Sequence, residues 1–210
     1  MSLSPDLPAR VRFRSILGSG GWIGTGRACS VFLMKIETAT IRRLRDALLE
    51  SGRRAGSVMS PAYETLARAG LLSDDEQTAL RRVDPLAETL FIMMAADGKI
   101  TVQERDAMRG AIRGLAGDVL HEGTIQVMLE QYEKALAKEG RESRLRALGS
   151  SLSSQPSAAE GAFALAAAVA LADDEVADEE RSLVNQIREW FGITSERASI
   201  ILHQLDDDKS

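Results

Sequence analysis

Cysteine and histidine are scarce in this sequence, and their scarcity excludes several kinds of site. The 210 residues contain one cysteine and two histidines. Cys29 has no second cysteine in the chain for a disulfide or a Cys-x-x-Cys motif. Structural zinc needs four cysteine or histidine ligands, which three such residues cannot supply. Aromatic residues make up only 4% of the chain, whereas strands draw on aromatic and β-branched residues. We therefore predict an all-α fold.

Long apolar runs are missing as well. A membrane-spanning helix needs about 20 consecutive apolar residues, and no run approaches that length. The nearest candidate, residues 161–172, is short and mostly alanine, which suits a buried core helix. The first residues contain no compact apolar run before a cleavage site, so a secretory signal is not predicted. We expect no transmembrane segment and a cytoplasmic location.

Charge is unevenly distributed along the chain, whose net charge is −5. Residues 1–83 hold 13 of the 26 Lys and Arg against 8 of the 31 Asp and Glu, so residues 84–210 hold 13 against 23. The acidic part is poorly suited to nucleic acid, because neutralising phosphates requires clustered cations. The basic part could contact an acidic partner or a lipid surface.

Glycine, proline and capping residues indicate the domain organisation. Residues 1–35 are glycine-dense without matching Gly-x-Gly-x-x-Gly, and we interpret them as a flexible or non-native leader that contributes nothing to the core. Residues 36–83 read as a helical extension, and residues 84–207 as the main domain.

Short motifs predict where individual helices start and end. Ser60-Pro61 and the Ser73 to Glu76 capping box each predict a helix start. Asp84-Pro85 predicts a further start. Gly140 predicts a break, and the serine-rich residues 149–157 predict a linker.

An internal repeat is the main organisational feature. Residues 91–104 can be superimposed on residues 167–180 with an offset of 76, and the alignment continues without a gap for about forty positions. Asp97 falls on Asp173 and Glu104 on Glu180. The repeat predicts a helical bundle of two pseudo-symmetric helix-loop-helix units, about 84–130 and 158–206, packed about a pseudo-twofold axis.

Both copies of the repeat carry one recognisable motif. Residues 170–193 contain an apolar helix, an Ala-Asp-Asp loop, a glutamate in the next helix and a Phe-Gly-Ile ending, and residues 95–104 carry the same loop motif. These motifs resemble those of the tellurite-resistance TerB-like family. The resemblance covers about residues 84–206. The glycine that usually follows the aspartate is kept as Gly98 but replaced by Asp174, so the two loops could differ in turn geometry and ion affinity.

The resemblance implies an all-helical, non-catalytic protein of stress or tellurite and metal-resistance physiology, with cation binding at the acidic loops. Similar domains occur in membrane co-chaperones of the DnaJ type, which implies a protein partner that could be membrane-associated. The sequence has no J-domain signature, which argues against a function as a DnaJ-type co-chaperone.

The acidic loops also raise an electrostatic problem. Glu104 fits a capping box with Thr101, but Asp97 lies near a helix C-terminus, where an acid is unfavourable. The second loop holds six acids in eight residues, and Ala177 stands where the first loop has Thr101. Oxygen ligands without histidine or cysteine select a hard cation such as Ca²⁺, Mg²⁺ or Mn²⁺. The candidate metal ligands are Asp97, Glu104, Asp173, Asp174, Asp178 and Glu180.

Two alternatives to an ion site remain open. The loops could be solvated acidic turns, or they could dock a basic partner, which would make the chain a protein-interaction adapter that binds no metal. Catalysis is not expected, because the sequence contains no Gly-x-Ser-x-Gly, His-Glu-x-x-His or P-loop motif. We therefore predict no catalytic residues and no cofactor other than a divalent cation.

Overall fold

The computed structural model describes residues 45–46, 61–98, 100–170 and 178–207. This part of the chain is largely helical and contains no strand, which confirms the predicted all-α class. The α-helices are α1 Pro61–Ala69, α2 Asp74–Met94, α3 Val102–Ala116, α4 Glu122–Glu139, α5 Arg141–Leu152, α6 Pro156–Ala170, α7 Asp178–Trp190 and α8 Ser195–Asp207. A 3₁₀ turn, Ala95–Asp97, follows α2.

Helix starts and ends largely follow the predicted signals. At the start of α2 the backbone N–H of Ser73 donates to Glu76 Oε2 over 3.1 Å, and the Glu76 N–H donates to Ser73 Oγ over 3.3 Å. This reciprocal pair satisfies two amides that have no partner within the helix. The helix begun by Pro61 ends before Gly70, and Gly140 separates α4 from α5. These signals are confirmed.

The predicted helix start at Asp84-Pro85 is wrong, because α2 continues through both residues. Instead of capping a helix, the Asp84 carboxylate accepts a hydrogen bond from the Tyr132 hydroxyl over 2.5 Å. An interior proline removes one backbone hydrogen bond and is normally costly. Leu80 before it and Leu86 after it are fully buried in the same core, and this burial favours an unbroken helix.

The predicted linker at residues 149–157 is also largely wrong. Helix α5 continues to Leu152, and α6 begins at Pro156, so only residues 153–155 connect them. Leu148 and Leu152 are 4% and 1% exposed, so this serine-rich stretch carries an apolar face that packs in the core. Proline is well tolerated at the first position of a helix, as Pro156 is here.

Helices α2 and α6 pack against each other at the centre of the bundle. Helix α2 contacts α3 and α4, and α6 contacts α7 and α8, so each unit repeats the same arrangement. Helices α2 and α6 end at Met94 and Ala170, and α3 and α7 begin at Val102 and Asp178. Both pairs are separated by the same 76 positions as the sequence repeat. The pseudo-twofold relation between the units stays a prediction.

The remaining helices extend this core. Helix α1 lies on α4 and α2, and its Ala62, Tyr63 and Leu66 are buried. Helix α5 contacts both α2 and α7. The predicted leader, residues 1–35, lies outside the described residues. Of the predicted extension, residues 45–46 and 61–83 are described and are largely helical, and the domain boundaries stay predictions. In the described part of the chain, no helix combines the length and apolarity needed to cross a bilayer.

Candidate functional site

The first acidic loop is a tight reversal between α2 and α3. After the 3₁₀ turn Ala95–Asp97, Gly98 adopts a φ of 89°, a left-handed conformation that glycine reaches without steric cost. The Gly98 N–H donates to the Ala95 carbonyl over 3.0 Å. Asp97 and Gly98 therefore lie in a tight turn. The backbone of Asp97 belongs to this turn, whereas its side chain lies outside the described residues.

Glu104 holds the loop to the start of α3. The Thr101 N–H donates to Glu104 Oε2 over 2.7 Å, and the Glu104 N–H donates to Thr101 Oγ1 over 3.2 Å. The residue is only 4% exposed. Its capping function is confirmed, and its function as a metal ligand stays a prediction.

The second acidic loop is described only from its helical end. Asp173 and Asp174 lie outside the described residues, in the gap at 171–177. Asp178 and Glu180 lie in the first turn of α7, where negative charge is favourable, and Asp178 is exposed. Within the described ranges, no three histidine, cysteine, aspartate or glutamate residues are grouped closely enough to hold a metal. The six-ligand set therefore stays a prediction.

The first acidic loop lies next to α7. The 3₁₀ turn of the first loop contacts α7, with Cα atoms within 8 Å of each other. Helix α7 directly follows the second loop and carries Asp178 and Glu180. The turn that contains Asp97 therefore lies beside the helix that begins with the acids of the second loop.

Arg141, at the start of α5, supplies a cation to the first loop. Its Nη2 donates to the Ala96 carbonyl over 2.9 Å. This carbonyl lies just beyond the C-terminal end of α2, where the helix carries partial negative charge. The guanidinium therefore offsets part of the unfavourable electrostatics noted for Asp97.

Sequence reasoning missed Arg141 as part of this site. The one local signal is that an arginine is unfavourable at the N-terminus of its own helix, so its charge needs a partner elsewhere. The partner is 45 residues away in sequence, and no local pattern identifies it.

A buried ion pair fixes α5 to α2. Arg144 Nε donates to Glu88 Oε1 over 2.7 Å and Nη2 to Oε2 over 3.0 Å, while Nη1 donates to Glu139 over 3.0 Å. Glu88 is 1% exposed. Burial raises the pKa of the Glu88 carboxyl, and Arg144 partly offsets that rise. Burial alone would lower the pKa of Arg144, but its two carboxylate partners raise it above its usual value.

A second buried contact joins α4 to α2. The Tyr132 side chain, whose hydroxyl donates to Asp84, is fully buried. The centroid of its ring lies 5.8 Å from that of the Phe91 ring, and the two rings are tilted relative to each other. Burial and the neighbouring Asp84 carboxylate raise the pKa of Tyr132 well above its usual value. Tyr132 therefore remains a hydrogen-bond donor at physiological pH. These buried polar pairs position the helices that carry the first loop.

The far end of α5 contacts α7 at very short range. A Cβ atom added to Gly149 would lie 2.1 Å from the backbone oxygen of Trp190. The Arg146 guanidinium lies over the Trp190 ring, 4.7 Å from its centroid, in cation–π geometry. Helix α5 therefore contacts the first loop through Arg141 and the helix of the second loop through Gly149.

Comparison with known proteins agrees with this architecture. The family model of the tellurite resistance protein TerB matches residues 83–203, which is more than half of the chain and covers the first helix-loop-helix unit and most of the second. No curated protein and no solved structure matches the chain. The resemblance recognised in the two acidic loop motifs is thus confirmed, and the chain belongs to the TerB family of tellurite resistance proteins.

Proposed function

We propose that the chain is a non-catalytic protein that binds a divalent cation at its two acidic loops and acts in stress or tellurite and metal-resistance physiology. Membership of the TerB family supports a function in tellurite or metal resistance. The observation that supports this proposal is the contact between the first-loop turn and α7, the helix whose first turn carries Asp178 and Glu180. The candidate ligands are Asp97, Glu104, Asp173, Asp174, Asp178 and Glu180.

Electrostatics supports a cation between the loops. Unit charges of like sign that are 4 Å apart repel by about 4 kcal/mol near a protein surface, so crowded carboxylates are costly without a counter-charge. Arg141 supplies one positive charge at the first loop. The second loop has six acids in eight residues, followed by Arg181. A bound divalent cation would reduce the remaining repulsion.

The donor set favours hard cations. The candidate ligands offer only carboxylate oxygens, which suit Ca²⁺, Mg²⁺ and Mn²⁺ better than softer metals. Calcium accepts six to eight oxygen ligands in flexible geometry, which fits ligands supplied by two loops. Of the three ions, calcium is therefore expected to bind most tightly.

An NMR titration of the full chain with each of the three ions tests the proposal. The Gly98 amide reports on the first loop and the Ala177 amide on the second. We expect saturable shifts of both amides with Ca²⁺, at the same ion concentration. The Asp173→Asn, Asp174→Asn double variant should weaken binding at least tenfold, because it removes two negative charges from the site.

A matched control comes from the first turn of α2. Asp74 and Asp75 are also adjacent exposed acids, but they belong to an ordinary helix N-terminus. The Asp74→Asn, Asp75→Asn variant removes the same charge and should leave calcium binding within twofold of wild type. Equal loss in both double variants would indicate only a general effect of net charge and would contradict a specific site.

Glu104 requires a variant that separates its two functions. Glutamine can keep the capping box but is a poorer ligand for a hard cation. Glu104→Gln should therefore leave stability nearly unchanged while it weakens calcium binding. No amide shift at about 10 mM Ca²⁺ or Mg²⁺, and no selective broadening of the Gly98 and Ala177 amides by substoichiometric Mn²⁺, would exclude the cation and leave the adapter function, in which the loops bind a partner without metal.

A further inference from the structure

A partly open cavity of about 250 Å³ lies at the other end of α3 from the acidic loop. Helix α3 has 15 residues, so its two ends are about 22 Å apart. The cavity is therefore separate from the proposed cation site. It is lined by Arg45, Ala79, Arg82, Val83, Leu115, Ala116, Gly117 and Val119.

The floor of the cavity is apolar. Ala79 and Val83 lie one turn apart on the same face of α2, and Leu115 reaches the cavity from the last turn of α3. These three residues are at most 3% exposed. A ligand on this floor would contact close-packed methyl groups, which favours an apolar moiety.

The wall of the cavity is cationic. Arg82 also belongs to this face of α2, and its Nε donates to the Thr78 carbonyl over 3.3 Å. No ion pair joins Arg82 to a carboxylate of the described residues. Arg45 pairs with its neighbour Asp46 over 3.0 Å, but Asp46 is exposed, and such pairs contribute little. Among the described residues, the lining contains two arginines and no acid.

This combination defines the chemistry of a ligand. Guanidinium groups bind carboxylates through paired hydrogen bonds, and the apolar floor favours a hydrocarbon next to the charge. An apolar cavity of about 150 Å³ holds benzene, so this one has room for about ten non-hydrogen atoms. We propose that the cavity binds a small organic carboxylate with a short apolar tail, with the carboxylate at Arg82 and Arg45 and the tail against Val83 and Leu115.

Titration of the full chain with hexanoate tests this site. Hexanoate has eight non-hydrogen atoms, for which a Kd on the order of 1 mM is expected. Amide shifts should be saturable and confined to Ala79, Val83, Leu115 and Ala116. Acetate keeps the charge without the tail, and hexanol keeps the tail without the charge. Each should bind at least tenfold more weakly than hexanoate.

Two variants test the wall and the floor separately. Arg82→Met keeps a long apolar stem but removes the positive charge. It should weaken hexanoate binding at least tenfold and leave hexanol binding unchanged. Ala116 is half-buried at the rim, so Ala116→Leu can narrow the cavity without disturbing the core, and it should weaken both ligands. Arg68→Met is the matched control, because Arg68 is an exposed arginine of α1 that pairs with Glu64.

Three results would overturn the proposal. The first is the absence of saturable hexanoate shifts up to about 20 mM, well above the expected Kd. The second is equal weakening by Arg82→Met and Arg68→Met, which would indicate non-specific attraction to basic surface. The third is inorganic phosphate binding as tightly as hexanoate, since the site would then recognise charge without a tail.

Discussion

The two helix-loop-helix units share one topology but are stabilised by different interactions. Around α2 of the first unit, buried polar pairs attach neighbouring helices to α2, namely Tyr132 with Asp84 and Arg144 with Glu88. In the second unit, α6 is rich in alanine and packs by close approach of small side chains. A duplicated hairpin can therefore keep its helix arrangement while the forces that hold it change.

Helix α5 brings both kinds of interaction together. It is attached to α2 of the first unit through the ion pair of Arg144. It is attached to α7 of the second unit through the tight approach of Gly149 to Trp190. Variants at these two residues test each attachment separately.

The largest effect is expected for Arg144→Met. The change leaves Glu88 buried without its cation, which costs about 3–5 kcal/mol of unfolding free energy. Chemical denaturation of the variant measures this loss. Replacing both partners, as Glu88→Leu with Arg144→Met, should recover most of it, because the one charge that loses its partner, on Glu139, is exposed to solvent. Equal stability of the single and double variants would contradict a buried ion pair.

Gly149→Ala should have the next largest effect. The added methyl group would meet the Trp190 backbone, so α5 and α7 must separate, at a cost of about 1–3 kcal/mol. Gly110→Ala is the matched control within α3, where a Cβ meets no atom within 4 Å. It should stabilise the protein by about 0.5–1 kcal/mol through helix propensity. Thermal unfolding of both variants would show shifts of opposite sign.

The third prediction compares the starts of α3 and α7. Thr101→Ala removes a capping hydrogen bond and should cost about 1 kcal/mol. Ala177 precedes α7 in the position equivalent to Thr101, with Glu180 three residues later. Ala177→Thr should therefore create a second capping box and raise the unfolding free energy by about 0.5 kcal/mol. Unchanged or lower stability would show that residue 177 is not the N-cap of α7 in the way that Thr101 is the N-cap of α3.

The smallest effects concern pH. The Ser73 N–H lowers the pKa of Glu76, and Arg197 lowers the pKa of Glu160. A lowered pKa in the folded state contributes stability above the unfolded value of about 4.5, and that stability is lost as pH falls through the folded pKa. Glu76→Gln and Glu160→Gln should thus reduce stability at pH 7, and the difference from wild type should shrink as pH falls below about 4.5.

The Glu160 effect should be the smaller one, because its ion pair with Arg197 is partly exposed and screened by solvent. Denaturation at several pH values measures both variants. A stability difference from wild type that does not shrink as pH falls would contradict the assigned pKa directions.

Local patterns were sufficient to predict much of the fold. The capping boxes at Ser73 and Thr101 and the break at Gly140 each depend on residues close together in sequence, and all three are present. The repeat of 76 residues also predicted which loops correspond. At Asp84-Pro85 a local start signal was overridden by burial on both sides, and at residues 149–157 serine-rich composition concealed the apolar face of Leu148 and Leu152.

The candidate site was less accessible to sequence reasoning. The acids of both loops are visible as a charge pattern, and Glu104 could be assigned a cap from its spacing to Thr101. The contact of Arg141 with Ala96 joins residues 45 positions apart, and that of Arg144 with Glu88 joins residues 56 apart. Such pairings depend on how helices pack in three dimensions. Neither residue has a neighbour in sequence that indicates its partner.

The second half of α2 is enclosed on every side, because all nine residues from Leu86 to Met94 are buried. Helices α3, α4, α5 and α6 all contact α2, so no single neighbour can separate and expose it completely. Backbone amides in such a segment exchange with solvent deuterium mainly when the whole domain opens. The Leu90 to Met94 amides should therefore be among the slowest to exchange, and their exchange rates would report the global unfolding free energy.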